Sequence, residues 1–155
     1  MTTIEHPERT LVIEREFNAP RDLVYEAWTN LDHIEKWWGP IGVSIKSIER
    51  DFSIGGVWRC VMLTPSGGEK PLRYEYLEIL PPEKLVWLES WAENRSDEVQ
   101  VTVRFEEQGD GTKLTMLILH GTAEEMKRND EYGMRDGWNS SFESLDEFLE
   151  SCAAA

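Results

Sequence analysis

Hydrophobic and polar positions change period twice along this chain. In "TLVIEREF", Thr10–Phe17, Leu11, Ile13 and Phe17 fall on one side of a two-residue alternation that Arg15 interrupts, which predicts a strand. The period then lengthens. In "APRDLVYEAWTN" Pro20 suits the first helical position and Asp22 favours a helix N-terminus, while Leu23, Val24, Ala27 and Trp28 form an apolar stripe. Asn30 or Asp32 can cap a second short helix that runs through Trp38 and is expected to stop at Gly39-Pro40. Alternation then returns in six segments, at 43–52, 56–63, 71–80, 85–93, 98–107 and 113–121. Turns such as "SIGG", "PSGGEK", "PPEK" and "GDGT" join them. At the end the helical period resumes. Thr122 and Glu125 make a capping-box pattern, and Met134, Trp138, Phe142, Leu145, Phe148, Leu149 and Cys152 recur at spacings of three and four.

Strand, two short helices, a six-strand meander and a long terminal helix predict an α+β fold. An antiparallel sheet of seven strands with one helix to cover must curl around it. Such a sheet has more inner surface than one helix fills, so space is expected to stay open between them. No linker or repeat divides the chain. A single domain is expected over 1–155, with a core from about 10 to 151 and loose ends at 1–8 and 152–155.

Composition narrows the functions. The chain has 155 residues, enough for a core without staples, and 30 acidic against 16 basic side chains give a net charge of −14. That field repels phosphate backbones and anionic lipid, which argues against nucleic-acid binding and polybasic membrane docking. No apolar run is long enough to enter and span a bilayer, and "MTTIEHPERT" lacks the layout of a secretory signal, so a cytoplasmic protein is expected. Cys60 and Cys152 are far apart and read as reduced thiols. His6, His33 and His120 share no local motif, and no glycine-bearing turn precedes a helix as a phosphate cradle does. Neither a metal nor a cofactor is therefore expected.

Five segments occur in an order that resembles a known family: "IEREFNAPRDLVYEAWTNLDHIEKWWGPIG", "GGVWRCVM", "YEYLEILPPEKLVW", "GTKLTMLILHG" and "GWNSSFESLDEFL". Together they resemble the activator-of-heat-shock-protein-90-ATPase homologue family of the START-like (SRPBCC) superfamily, over about 12–149. The resemblance implies a helix-grip fold, a sheet gripping the C-terminal helix with a deep apolar cavity between. It also implies binding of lipids, sterols, polyketides or phenolics, and in a few members cyclase or hydrolase activity. The eponymous member stimulates a chaperone ATPase in the stress response. No counterpart of that protein's separate N-terminal domain is expected within these 155 residues, which argues against a chaperone role.

The residues themselves favour reversible binding of a small apolar or aromatic molecule. On the second helix Leu31, Ile34 and Trp38 fall within about 60° of one another, and Trp37 lies about 100° from Trp38. Trp38 is therefore expected in the core and Trp37 at the cavity mouth. The inward strand positions Trp58, Cys60, Met62, Tyr74, Tyr76, Trp87, Trp91, Met116, Ile118 and His120, with Met134, Trp138 and Phe142 of the terminal helix, make up the rest of the expected lining. Arg15, Glu89, His120 and the two tyrosine hydroxyls put polar atoms on these apolar faces. His120, which titrates near neutrality, and Glu89, a carboxylate among apolar neighbours, are the acid-base candidates if a reaction is catalysed. No nucleophile, base and acid occur at a catalytic spacing. A chaperone or other protein partner, and a second copy of the chain as a homodimer, stay open.

Overall fold

The computed structural model describes residues 4–38, 42–91 and 98–154. A single 3₁₀ turn at Pro7–Arg9 leads into β1 (Thr10–Phe17), followed by α1 (Arg21–Thr29) and α2 (Leu31–Trp37). Six strands follow: β2 (Ser44–Arg50), β3 (Val57–Leu63), β4 (Glu69–Leu80), β5 (Lys84–Trp91), β6 (Val99–Gln108) and β7 (Gly111–Leu119). Then come α3 (Ala123–Glu131) and α4 (Met134–Ala154). All seven strands form one antiparallel sheet in the order β1-β7-β6-β5-β4-β3-β2. The meander β2 to β7 runs neighbour to neighbour, and β1 closes on β7 by the one non-sequential pairing. The architecture expected from periodicity is the observed one.

The alternation sorts residues as the pattern requires. Leu11, Ile13, Phe17, Val101, Val103, Phe105, Leu114, Met116 and Ile118 are all buried on the inner face. From α4, Phe142, Leu145 and Leu149 fill the space above them. Arg15, which broke the alternation of β1, reaches α4 instead and pairs with Asp146 at 2.6 Å. Two register shifts, between Ser47 and Glu49 on β2 and between Tyr76 and Glu78 on β4, bend the sheet where it wraps the helix.

Several expected boundaries move. Asn30 is the cap of α2, its Oδ1 accepting from the Asp32 backbone N–H at 3.0 Å. Pro20 precedes α1 rather than opening it, because its extended ψ of 150° places it at the cap. The Gly39-Pro40 stop lies outside the described residues, as do residues 1–3 and the last residue of the loose ends expected at the termini. Residues 7–9 are tied down, since the Arg9 guanidinium donates to the His120 carbonyl at 2.7 Å. The terminal helical stretch is split in two by Gly133, whose φ of +96° lies in the left-handed region that ends a helix.

Candidate functional site

Aromatic rings concentrate where α1 and α2 meet the sheet and α4. Trp28 is the hub. Its ring lies 4.8 Å from Trp37, 5.3 Å from Trp38 and 6.0 Å from each of Trp87 and Trp138. Such edge-to-face and offset contacts add to area burial. In the sequence Trp28 was one member of a helix stripe; no local signal marked it as the point where four elements converge.

At the end of α2 both tryptophans are buried, Trp38 as expected and Trp37 against the expectation of a place at the cavity mouth. Trp37 is in the core, 2% exposed, with its indole N–H donating to the Ala27 carbonyl at 2.8 Å. Trp38 is the cavity residue, and its indole N–H donates to the Tyr74 hydroxyl at 3.3 Å. The helical angle between the two was sound, but α2 ends at Trp37 and Trp38 takes an extended backbone with ψ of 130°. Helical geometry no longer sets its direction.

A cavity of about 330 Å³ opens beside this cluster. Met62 of β3, Leu72 and Tyr74 of β4, Glu89, Ser90 and Trp91 of β5, and Val99 of β6 line its sheet side. Trp38 lies at one end, and Asn129 of α3 with Met134, Gly137, Trp138 and Ser141 of α4 form the roof. The space exists because of α4's composition. Gly137, Ser141, Leu145 and Leu149 follow one another at four-residue intervals on one face. The two small residues line the cavity, while the two leucines further along the same face are buried in the core. Trp91, 44% exposed, lies on the solvent side.

Five of the expected lining residues, Met62, Tyr74, Trp91, Met134 and Trp138, are brought together around this space. The others share the inner face but are used up in packing. Trp58 is 1% exposed, stacks on Tyr74 at 4.9 Å and donates to the Ser47 hydroxyl. Cys60, Trp87, Met116, Ile118 and Phe142 are fully buried core. Tyr76 lies under Arg50, which donates to its hydroxyl at 3.3 Å, and against Phe52. His120 is buried by the 3₁₀ turn, with Nδ1 3.1 Å from the Ile118 carbonyl, and is not in the cavity wall. Burial pushes its pKa down, so near neutral pH it is an uncharged structural imidazole. Trp38, Leu72, Ser90, Val99, Asn129, Gly137 and Ser141 complete the wall. Alternation marked Val99 as inward, and the absence of bulk at 137 and 141 could have pointed to the helix side of the wall.

Glu89 is the one acidic side chain among the described lining residues. It sits between its register partners Tyr74 on β4 and Val99 on β6. The Trp87 indole, two residues earlier on the same face, donates to Oε1 at 3.2 Å. Glu89 is a partly buried residue of the cavity wall. Burial raises its pKa to about 7, against the smaller opposing effect of the Trp87 hydrogen bond. Burial, and then the nearby Glu89 charge, push the Cys60 thiol up to about 12 and Tyr74 well above the ordinary phenol range. Both shifts favour the protonated, neutral forms near neutral pH. Among the described residues no group of His, Cys, Asp and Glu is placed to hold a metal ion, and no helix is long and apolar enough to cross a membrane.

The profile of the family described as activator of Hsp90 ATPase homolog 1-like protein matches residues 18–150, most of the chain. This chain belongs to that family. Solved structures share its fold across nearly the whole length. A protein of Nitrosomonas europaea superposes with a TM-score of 0.86 at 25% identity, covering 96% of this chain and 99% of its own. A protein of Arthrobacter aurescens does so with a TM-score of 0.87 at 22% identity, over 96% and 90%. The AHSA1 protein of Silicibacter pomeroyi gives 0.74 at 24%, over 91% and 97%. No curated protein matches the chain.

Proposed function

We propose that this family member reversibly binds a small, largely apolar molecule with a planar aromatic portion, in the cavity between the sheet and the N-terminal half of α4. The observation that carries this reading is the wall itself. Trp38, Tyr74, Trp91 and Trp138 offer flat, rigid faces, and Met62, Leu72, Val99 and Met134 offer adaptable apolar contact. The volume of about 330 Å³ lies at the low end of small-molecule sites. Affinity would come from desolvating the ligand against a preformed wall, with Glu89 fixing its orientation. Binding is favoured over catalysis because Glu89 is the one acidic side chain among the described lining residues, the thiol and phenol beside it, Cys60 and Tyr74, are held protonated by burial, and His120 lies elsewhere.

Intrinsic fluorescence tests this directly, since Trp38, Trp91 and Trp138 line the cavity. Titrating planar aromatics, flavonoids, sterols and fatty acids should give saturable quenching or a blue shift with planar aromatic compounds. Ser141→Leu, which pushes a branched side chain into the space and gives up only a bond to its own helix at the Gly137 carbonyl, should abolish the response. A flat response across the panel in the native protein removes this reading and directs the search to a protein partner, such as the chaperone that the family's name evokes.

A further inference from the structure

The cavity holds a carboxylate and, among its described lining residues, no cation. A bound molecule must therefore settle the charge of Glu89, and its chemistry is legible from what surrounds that group. Three of the indole N–H groups on this side of the sheet already have acceptors. Trp87 donates to Oε1 of Glu89, Trp38 to Tyr74, and Trp58 to Ser47. Two guanidiniums, on β2 and β4, have partners of their own, each keeping one buried nitrogen without a partner among the described residues. Arg73 pairs with Glu75 at 3.0 Å, and Arg50 lies over the Phe52 ring at 4.5 Å with its Nε on Tyr76. No described donor meets the other carboxylate oxygen. Around it stand the rings of Trp38, Tyr74, Trp91 and Trp138, whose faces carry the negative end of the aromatic quadrupole. A carboxylate within an aromatic wall is complementary to an organic cation, and the net charge of −14 draws cations toward the protein.

We propose that the ligand of this cavity is an arylalkyl ammonium, its planar ring against the tryptophans and its charged nitrogen on Glu89. This rests on the binding reading above and names the class of molecule bound. A carboxylate ligand such as a fatty acid is disfavoured, because it would meet Glu89 with no described lysine or arginine in the wall. The groups that face Glu89 are Tyr74 and Cys60 from the strands β4 and β3, Val99 from β6, and Trp138 and Ser141 from α4. Tyr74 and Cys60 are held neutral by burial, so Glu89 alone changes charge near neutral pH.

Calorimetric titration with three probes of one shape separates the alternatives: 2-(1-naphthyl)ethylamine, the matching naphthyl alcohol, and the matching naphthyl carboxylic acid. Near pH 8 the native protein should bind the ammonium at least about tenfold tighter than the alcohol, equivalent to one pKa unit of differential interaction. It should bind the acid weakest. In Glu89→Gln the ammonium's advantage over the alcohol should disappear. The native protein alone gives an independent check. Lowering the pH to about 6 protonates Glu89 and should weaken the ammonium severalfold relative to the alcohol. Equal affinities for ammonium and alcohol, or an advantage that ignores both Glu89→Gln and pH, would overturn this assignment while leaving an apolar binding cavity in place. Silence from all three probes overturns the cavity reading and the assignment with it.

Discussion

Ionising Glu89 costs the folded state energy, because the carboxyl is withdrawn from water with one indole N–H as its described partner. Its folded pKa of about 7 lies above the unfolded value of about 4.5. Between those two pH values the native protein holds a proton that the unfolded chain releases, so stability falls as pH rises through the window and levels off above it. The shift sets a ceiling of about 3 kcal/mol. Glu89→Gln keeps an acceptor for Trp87 and removes the charge. Urea unfolding should show it more stable than the native chain by roughly 1–3 kcal/mol near pH 8, and nearly equal below about pH 5. A gain independent of pH would show that the carboxyl is not the source. The tryptophan pair offers a second contrast. Trp37→Phe empties core space and leaves the buried Ala27 carbonyl without its donor, and should cost about 2–4 kcal/mol. Trp38→Phe should cost less, yet alter the fluorescence response to ligand, because it removes part of the cavity wall.

At the scale of elements, α3, α4 and the turn between them set the site. Gly133 separates the two helices with a positive φ, and a Cβ there would meet no neighbour, so any penalty is backbone strain alone. Gly133→Ala should lower stability by about 1 kcal/mol, read from the denaturation midpoint. Because Asn129 and Met134 flank this turn and line the cavity, the same substitution should also weaken probe binding. The Arg15–Asp146 pair fastens β1 to α4 at 2.6 Å, but both partners are partly exposed. Asp146→Ala should cost no more than about 1 kcal/mol, and less in high salt.

For the whole molecule, 30 acidic and 16 basic side chains repel one another in the compact state. Raising NaCl from about 20 mM to about 0.3 M shortens the Debye length severalfold and should raise the melting temperature. A melting temperature that falls with salt would mean that the described surface pairs, such as Arg59–Glu49 and Lys84–Glu78, outweigh the net repulsion.

The chain's periodicity by itself determined the α+β class, the order of elements, the meander and the inward face of each strand. A period of two or 3.6 reports which side of a segment faces water, and that information is local. Glu89 was legible for the same reason, as a carboxylate on an apolar strand face. Three things only the tertiary structure decided. The end of α2 lay one residue earlier than its pattern suggested, which put Trp37 wholly in the core and turned Trp38, also buried, toward the cavity. Trp58, Trp87, Met116, Ile118 and Phe142 carried the same inward signal as the true wall residues and became core, because alternation marks a side and not what stands opposite it. The position of the open space followed from Gly137 and Ser141 on the facing helix. A cavity is the difference between two packed surfaces, and no single segment encodes it.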